Sequence, residues 1–208
     1  MIFKNIKIFL QNVQKNNLTV NMILETQFSF DVIFIQELSW TTIYFISSSK
    51  SGEGEGLVGV LSHLNWLMFA NNTSNINDYL RIITYVNIRL STFCFSLWKD
   101  IYNYRDIYNY RDISLVSFFN NNEVFFLINI YSDSLQLALK YLKNTEVDVH
   151  NVLVMTGDFN IRNSWWDPYF SYHSISSNLL FDITDSLSLG LSVPTNYVPT
   201  RYPDNSQD

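Results

Sequence analysis

The sequence predicts an α/β (α+β) fold, with mixed β-sheets covered by helices in one domain. Three observations predict it. Short apolar runs of strand length recur along the chain, segments with helical spacing are interspersed among them, and a hairpin signal joins two of the strands. No linker rich in Pro, Gly or Ser is strong enough to divide the 208 residues, so the expected domain spans 1–208.

Ile6, Ile8 and Leu10 alternate with Lys7, Phe9 and Gln11, which predicts a strand buried mainly on one face. Val20, Ile23, Leu24 and Phe28 follow helical spacing behind the capping pair Asn16-Asn17. The run Asp31-Val32-Ile33-Phe34-Ile35-Gln36-Glu37 is nearly all apolar and predicts a buried strand. Ser47 to Gly56 reads as a surface loop. Further strands are expected at 57–61, 80–86, 88–97, 113–119 and 124–130, the last two joined through Asn120-Asn121-Asn122, because Asn tolerates positive φ. Asp133-Ser134 is expected to cap a helix whose Leu135, Ala138, Leu139 and Leu142 form one apolar face. A strand over 151–156 follows, then a helix carrying Leu179, Leu180, Ile183 and Leu187 with Gly190 near its end. Pro194 to Tyr202 reads as extended chain.

One feature stands outside this pattern. Ile101-Tyr102-Asn103-Tyr104-Arg105-Asp106 is repeated at once as Ile107-Tyr108-Asn109-Tyr110-Arg111-Asp112. A six-residue unit is too short for a solenoid repeat, so slippage duplication in a loop is preferred over a tyrosine-and-arginine platform for nucleic acid.

Composition narrows the function classes. The chain is 47% hydrophobic and 15% charged, which excludes general disorder and a coiled coil. With 13 basic and 19 acidic side chains the formal net charge is -6, so no basic excess exists to hold nucleic acid by counterion release alone. A nucleic-acid substrate would have to be met by a metal ion, local cations and aromatic stacking. Cys94 is the one cysteine, which excludes an internal disulfide and a cysteine zinc site, and its aromatic neighbours make it a packing thiol. No apolar run reaches membrane-span length and no secretory leader is recognisable, so a cytosolic or nuclear protein with no membrane partner is expected.

Four apolar strands lead into polar residues: Gln11-Asn12, Gln36-Glu37, Tyr131 after Asn129-Ile130, and Gly157-Asp158-Phe159-Asn160. Buried strands ending in carboxylates and amides supply what a hard metal needs, since Mg²⁺ takes oxygen ligands and often only one or two carboxylates. The competing reading of each acidic residue is a cap on the next helix, and that of Tyr131 is core packing with a satisfied hydroxyl. Trp165 and Trp166 are expected to pack at the rim, with base stacking as the rival.

In this order, Gln11-Asn12, Gln36-Glu37, Asn129-Ile130-Tyr131 and Gly157-Asp158-Phe159-Asn160 resemble the endonuclease/exonuclease/phosphatase superfamily. The continuation Ile161-Arg162-Asn163-Ser164-Trp165-Trp166-Asp167-Pro168, with Pro194-Thr195 and Pro199-Thr200-Arg201, is similar to its branch in non-LTR (LINE-type) retrotransposons. The resemblance implies a four-layer sandwich of two mixed β-sheets flanked by helices. It also implies Mg²⁺-dependent hydrolysis of a DNA phosphodiester, with Mn²⁺ as the alternative cofactor and a downstream reverse transcriptase in a full-length element. Carried over by residue, it makes Glu37 the metal ligand and places Asn12 near the metal and the catalytic water. Tyr131 would contact the scissile phosphate, Asp158 would orient or deprotonate the water, and Asn160 would donate to a phosphate oxygen. Thr195 or Thr200 would add a further phosphate contact.

The sequence also departs from the family pattern. Position 14 is Gln where several DNA-repair members carry an acidic metal ligand. None of His63, His150 and His173 follows an Asp, so the family's Ser-Asp-His motif is missing, and the chain is expected to be C-terminally truncated and to lack the last strands. Weak or absent turnover is therefore expected. The rivals are a non-catalytic remnant that binds metal or nucleic acid, and a phosphatase acting on small phosphoesters.

Overall fold

The computed structural model describes residues 6–39, 43–46, 56–59, 62–70, 80–90, 94–97, 112–120, 123–144, 151–166, 170–172 and 174–192. The surface loop before Gly56, the tandem hexapeptide up to Arg111, the Asn121-Asn122 turn and the extended chain from Pro194 lie outside the described residues. So do Thr195, Thr200, His150, His173 and the Cys94 side chain.

The strands are β1 (Ile8–Asn12), β2 (Val32–Gln36), β3 (Ile43–Ile46), β4 (Gly56–Gly59), β5 (Trp66–Phe69), β6 (Ile82–Asn87), β7 (Cys94–Leu97), β8 (Ile113–Asn120), β9 (Glu123–Tyr131) and β10 (Val152–Asp158). The helices are α1 (Asn17–Thr26), α2 (Leu137–Asn144) and α3 (Ile175–Ser186). One sheet has the order β1-β2-β6-β5 and a second the order β10-β9-β8-β7, while β3 and β4 pair as a separate hairpin. Both large sheets are mixed, since β1 runs parallel to β2 and β10 to β9 while the other pairs are antiparallel.

The period-2 alternation of side chains builds four layers from these sheets. In β2, Ile33 and Ile35 pack with Val20, Ile23 and Leu24 of α1. On its other face, Val32 and Phe34 meet Phe118 and Leu127 of the second sheet. In β9, Phe126, Ile128 and Ile130 turn away from that interface and pack under Ala138, Leu139 and Leu142 of α2 and Leu180 and Ile183 of α3. The order of layers is therefore α1, first sheet, second sheet, α2 with α3.

Buried polar groups stitch the two sheets together. Gln36 Nε2 donates to Asn129 Oδ1 at 2.6 Å, Asn129 Nδ2 donates to the Ile83 carbonyl at 3.2 Å, and the Thr84 and Ser114 hydroxyls are 3.2 Å apart. Slipping one strand by a residue would leave these buried groups unpaired, at about 1–3 kcal/mol each. The seam thus fixes how the ends of β2 and β9 face one another.

Several expectations need correction. Ile88–Leu90 is a 3₁₀ turn ahead of β7 rather than part of one continuous strand, and the β3–β4 hairpin was expected only in its second strand. Phe28 lies beyond α1, which ends at Thr26, and Leu135 precedes α2 and is 63% exposed. Leu10 is 40% exposed, on β1 at the edge of its sheet. The capping expectations fared better: Asn16 Oδ1 accepts from Leu18 N and Thr19 N, and Asp133 Oδ1 accepts from Leu135 N and Leu137 N.

Tyr85 on β6 is wholly buried beneath α1, and burial pushes its phenol pKa above the ordinary value of 10. Its folded-state pKa is raised, so the stability it contributes is complete below pH 10 and is lost as pH rises beyond that. Chemical denaturation of the wild type is expected to show stability falling above pH 10, with a smaller fall in Tyr85→Phe. Equal slopes in the two proteins would remove Tyr85 as the cause.

Candidate active site

β1 and β2 run parallel, as do β9 and β10, and the four strands finish at one end of the sandwich. In-register pairing sets Asn12 beside Gln36 and Asp158 beside Tyr131. Gly157 allows the second pairing, because a Cβ there would lie 1.8 Å from the Ile130 carbonyl oxygen.

Two hydrogen bonds then cross between the sheets. Asn12 Nδ2 donates to Asp158 Oδ2 at 2.8 Å, and the Tyr131 hydroxyl donates to Glu37 Oε1 at 2.9 Å. Asp158 Oδ1 accepts from the Asn160 N–H at 3.2 Å, so each of its oxygens has a partner and retains further acceptor capacity. Asn12 Oδ1 accepts from Gln14 N at 2.9 Å, which turns the chain after β1 toward Glu37, whose carbonyl accepts from Lys15 N at 2.7 Å. The structure therefore brings together Asn12, Glu37, Tyr131 and Asp158, four residues up to 146 positions apart in sequence.

Asn160 joins this group through its backbone. Its side-chain Nδ2 donates to the Ser132 carbonyl at 2.7 Å, and its own carbonyl accepts from Gln136 Nε2 at 3.3 Å. Ser132 Oγ in turn donates to Gln136 Oε1 at 2.9 Å. This small ring leaves the second amide hydrogen of Asn160 for a further acceptor.

Two of these residues have a left-handed backbone, a conformation shared by Gln14, Lys15, Gln136, Asn151 and Ser188 among the described residues. Glu37 has φ 51° and Asn160 φ 49°, both in the left-handed region. Asn adopts that region readily, whereas Glu there costs roughly 1–2 kcal/mol, and such strain concentrates at functional positions. At Glu37 the left-handed turn breaks the β2 alternation. Gln36 faces the second sheet, and the turn brings the next side chain back to the same interface to meet Tyr131.

Sequence reasoning missed Arg81 and Asp112. The Arg81 guanidinium binds the buried Asp112 carboxylate through Nε and Nη2, and lies 4.5 Å from the centre of the Tyr131 ring. Burial pulls the Arg81 pKa down, but the hydrogen bond and charge of Asp112 outweigh it and the net shift is upward. The Tyr131 hydroxyl is pushed up to about 12, first by burial and then by Glu37, against an opposing pull from Arg81. No motif signalled this pair, which becomes visible only when β6 and the start of β8 are placed beside β9.

Among the described helices neither acidic residue is a cap, because their starts are held by Asn16, Asp133 and Ser174. His63 lies far from the cluster, 3.3 Å from Glu25 on the α1 side. Trp166 donates its indole N–H to the Ile161 carbonyl at 2.9 Å and packs on Phe181, as a rim-packing residue would, whereas Trp165 also contacts Phe181 but is mostly exposed.

Among the described residues no group of three or more His, Cys, Asp or Glu side chains is arranged to hold a metal. Glu37 supplies a single carboxylate with oxygen-bearing amides nearby. This set does not suit zinc, but it fits a hard cation that keeps most of its water.

No protein-family model and no curated relative matches the chain. Among solved structures it is similar to the endonuclease domain of TRAS1, a telomere-specific non-LTR retrotransposon. The TM-score is 0.57 at 14% identity, over 87% of this chain and 71% of that one. A humanized D. rerio TDP2 bearing 14 mutations also matches, at TM-score 0.41 and 12% identity, over 76% of this chain and 64% of that one, so this chain spans less than two thirds of that structure. The chain shares the fold of the TRAS1 endonuclease domain, an α+β sandwich of two mixed sheets with flanking helices, as the sequence led one to expect. Among the described residues no helix is long and apolar enough to cross a membrane.

Proposed function

We propose that the strand-end cluster is a metal-dependent phosphodiesterase centre of retrotransposon type that hydrolyses DNA. The observation that carries this reading is the pair of cross-sheet bonds, Asn12 to Asp158 and Tyr131 to Glu37, which gather an acceptor base, a carboxylate ligand and neutral donors at one end of the sandwich. The likeness of the fold to the TRAS1 endonuclease domain supports DNA as the substrate.

Each residue has a task that its surroundings suit. Glu37 would hold Mg²⁺, or Mn²⁺ in its place, with Asn12 adjacent. Bound there, the cation would offset the negative charge that develops on the phosphate and the leaving oxygen. Asp158, oriented by Asn12 and the Asn160 N–H, accepts a proton from the attacking water. The second N–H of the Asn160 amide donates to a phosphoryl oxygen without the repulsion a carboxylate would cause. Tyr131 is held with its hydroxyl at Glu37, where it borders the phosphate. Thr195 and Thr200 are proposed as additional phosphate contacts.

Asp158→Asn tests the reading. It is expected to lower Mg²⁺-dependent nicking of supercoiled plasmid by about 10²–10⁴-fold, the usual contribution of a general base, while DNA binding in a filter assay is retained. Nicking at the wild-type rate would remove Asp158 from the chemistry. A binding-only role is the second reading, favoured by the formal net charge of -6 and by Glu37 being the one carboxylate proposed to hold the metal. It requires wild-type DNA binding with no nicking at any protein concentration.

A further inference from the structure

We propose that Arg81 and Asp112 form a clamp whose function is to position Tyr131 against Glu37. The proposal rests on the reading of Glu37 and Tyr131 as the phosphate end of a phosphodiesterase centre.

Asp112 holds Tyr131 from two directions. Its backbone carbonyl accepts from the Tyr131 N–H at 2.9 Å, which fixes the end of β9. Its carboxylate, 1% exposed, engages the forked face of Arg81 in a two-point contact that a lysine cannot reproduce. The guanidinium so fixed lies 4.5 Å from the Tyr131 ring centroid, where cation–π attraction and contact area both restrict the ring. The opposite end of the tyrosine is tied by its hydroxyl to Glu37 Oε1. Arg81 also lies 3.8 Å from Asp133, which caps the approach to α2, and its carbonyl accepts from Leu38 N immediately after Glu37. One side chain therefore touches the supports of Tyr131 while its backbone braces the segment that carries Glu37.

The arrangement gives part of the tandem hexapeptide a role. Asp112 is the last residue of the second copy, so the duplication ends in a residue that the site uses. Arg81 and Asp112 are positioning residues, because they reach the chemistry only through Tyr131 and the segment that carries Glu37.

Deleting Arg81 alone would strand the buried Asp112 charge, so the informative variants are Arg81→Met/Asp112→Asn and the single Asp112→Asn. The double variant removes both charges. The single variant keeps the shape and leaves the cation on Arg81, the more exposed partner. Two readouts on the full chain separate positioning from mere support. The first is exchange of the Tyr131 hydroxyl proton with water, followed by NMR and assigned by its loss in Tyr131→Phe. It is expected to quicken at least ~10-fold in both variants as protection is lost. The second is plasmid nicking, where kcat should fall ~10–100-fold, the usual effect of an outer partner, with KM nearly unchanged. Wild-type proton exchange in folded Asp112→Asn would overturn the clamp, as would a change confined to KM. If the wild type does not nick, the phosphodiesterase reading fails, while the exchange measurement still decides whether Tyr131 is clamped.

Discussion

Gly157→Ala is expected to destabilise the domain by about 3 kcal/mol or more, at the upper end of overpacking effects. An added methyl would lie 1.8 Å from the Ile130 oxygen, 2.7 Å from its carbonyl carbon and 3.0 Å from its nitrogen. All three are backbone atoms of β9, so no side chain can rotate away and the strands themselves must part. Ile130 sits under α2 and α3 in the core, and the next register pair is Asp158 with Tyr131. Separation there would unpack the core and spread the site together. With total stabilities of about 5–15 kcal/mol for such domains, the loss should be plain in a urea midpoint. A change below about 1 kcal/mol would show that β10 yields without disturbing β9.

Glu37→Gln is expected to leave the fold intact and to weaken Mn²⁺ or Mg²⁺ binding by at least ~10²-fold, since loss of an outer partner alone costs 10–100-fold. The amide has the shape of the carboxylate, and its oxygen can still accept from the Tyr131 hydroxyl. The left-handed backbone at position 37 is no harder for Gln than for Glu, so the strain there is unchanged. What disappears is the charge, and with it the one carboxylate proposed as metal ligand. Calorimetric titration with Mn²⁺ would measure the difference. Equal affinity in the two proteins would place the cation elsewhere.

How much of this was legible in the sequence depends on the range of the force involved. The apolar runs in β2 and β9 are buried on both faces, so composition alone identifies them as strands. Asn12, Glu37, Tyr131 and Asp158 were visible as polar breaks at strand ends, and the structure brings them together. Gln36 and Asn129 belonged to the same motifs, yet their work is to bond to each other inside the inter-sheet seam. Arg81 and Asp112 were invisible because an ion pair between residues 31 positions apart leaves no local pattern. Gln136 belonged to no motif, and its positive φ and its bonds to Ser132 and Asn160 are seen only in the structure. Leu10 and Leu135 were misjudged because periodicity reports a face and cannot show where the partner of that face ends.

The most direct test of the central claim is a side-by-side nicking assay on supercoiled plasmid, with wild type and Glu37→Gln, in Mg²⁺ and in EDTA. The expected result is single-strand nicking by the wild type in Mg²⁺ alone, abolished by EDTA and by the substitution. Nicking that persists in EDTA or in Glu37→Gln, or a wild type that never nicks in Mg²⁺, would contradict a metal-dependent phosphodiesterase centre at these strand ends.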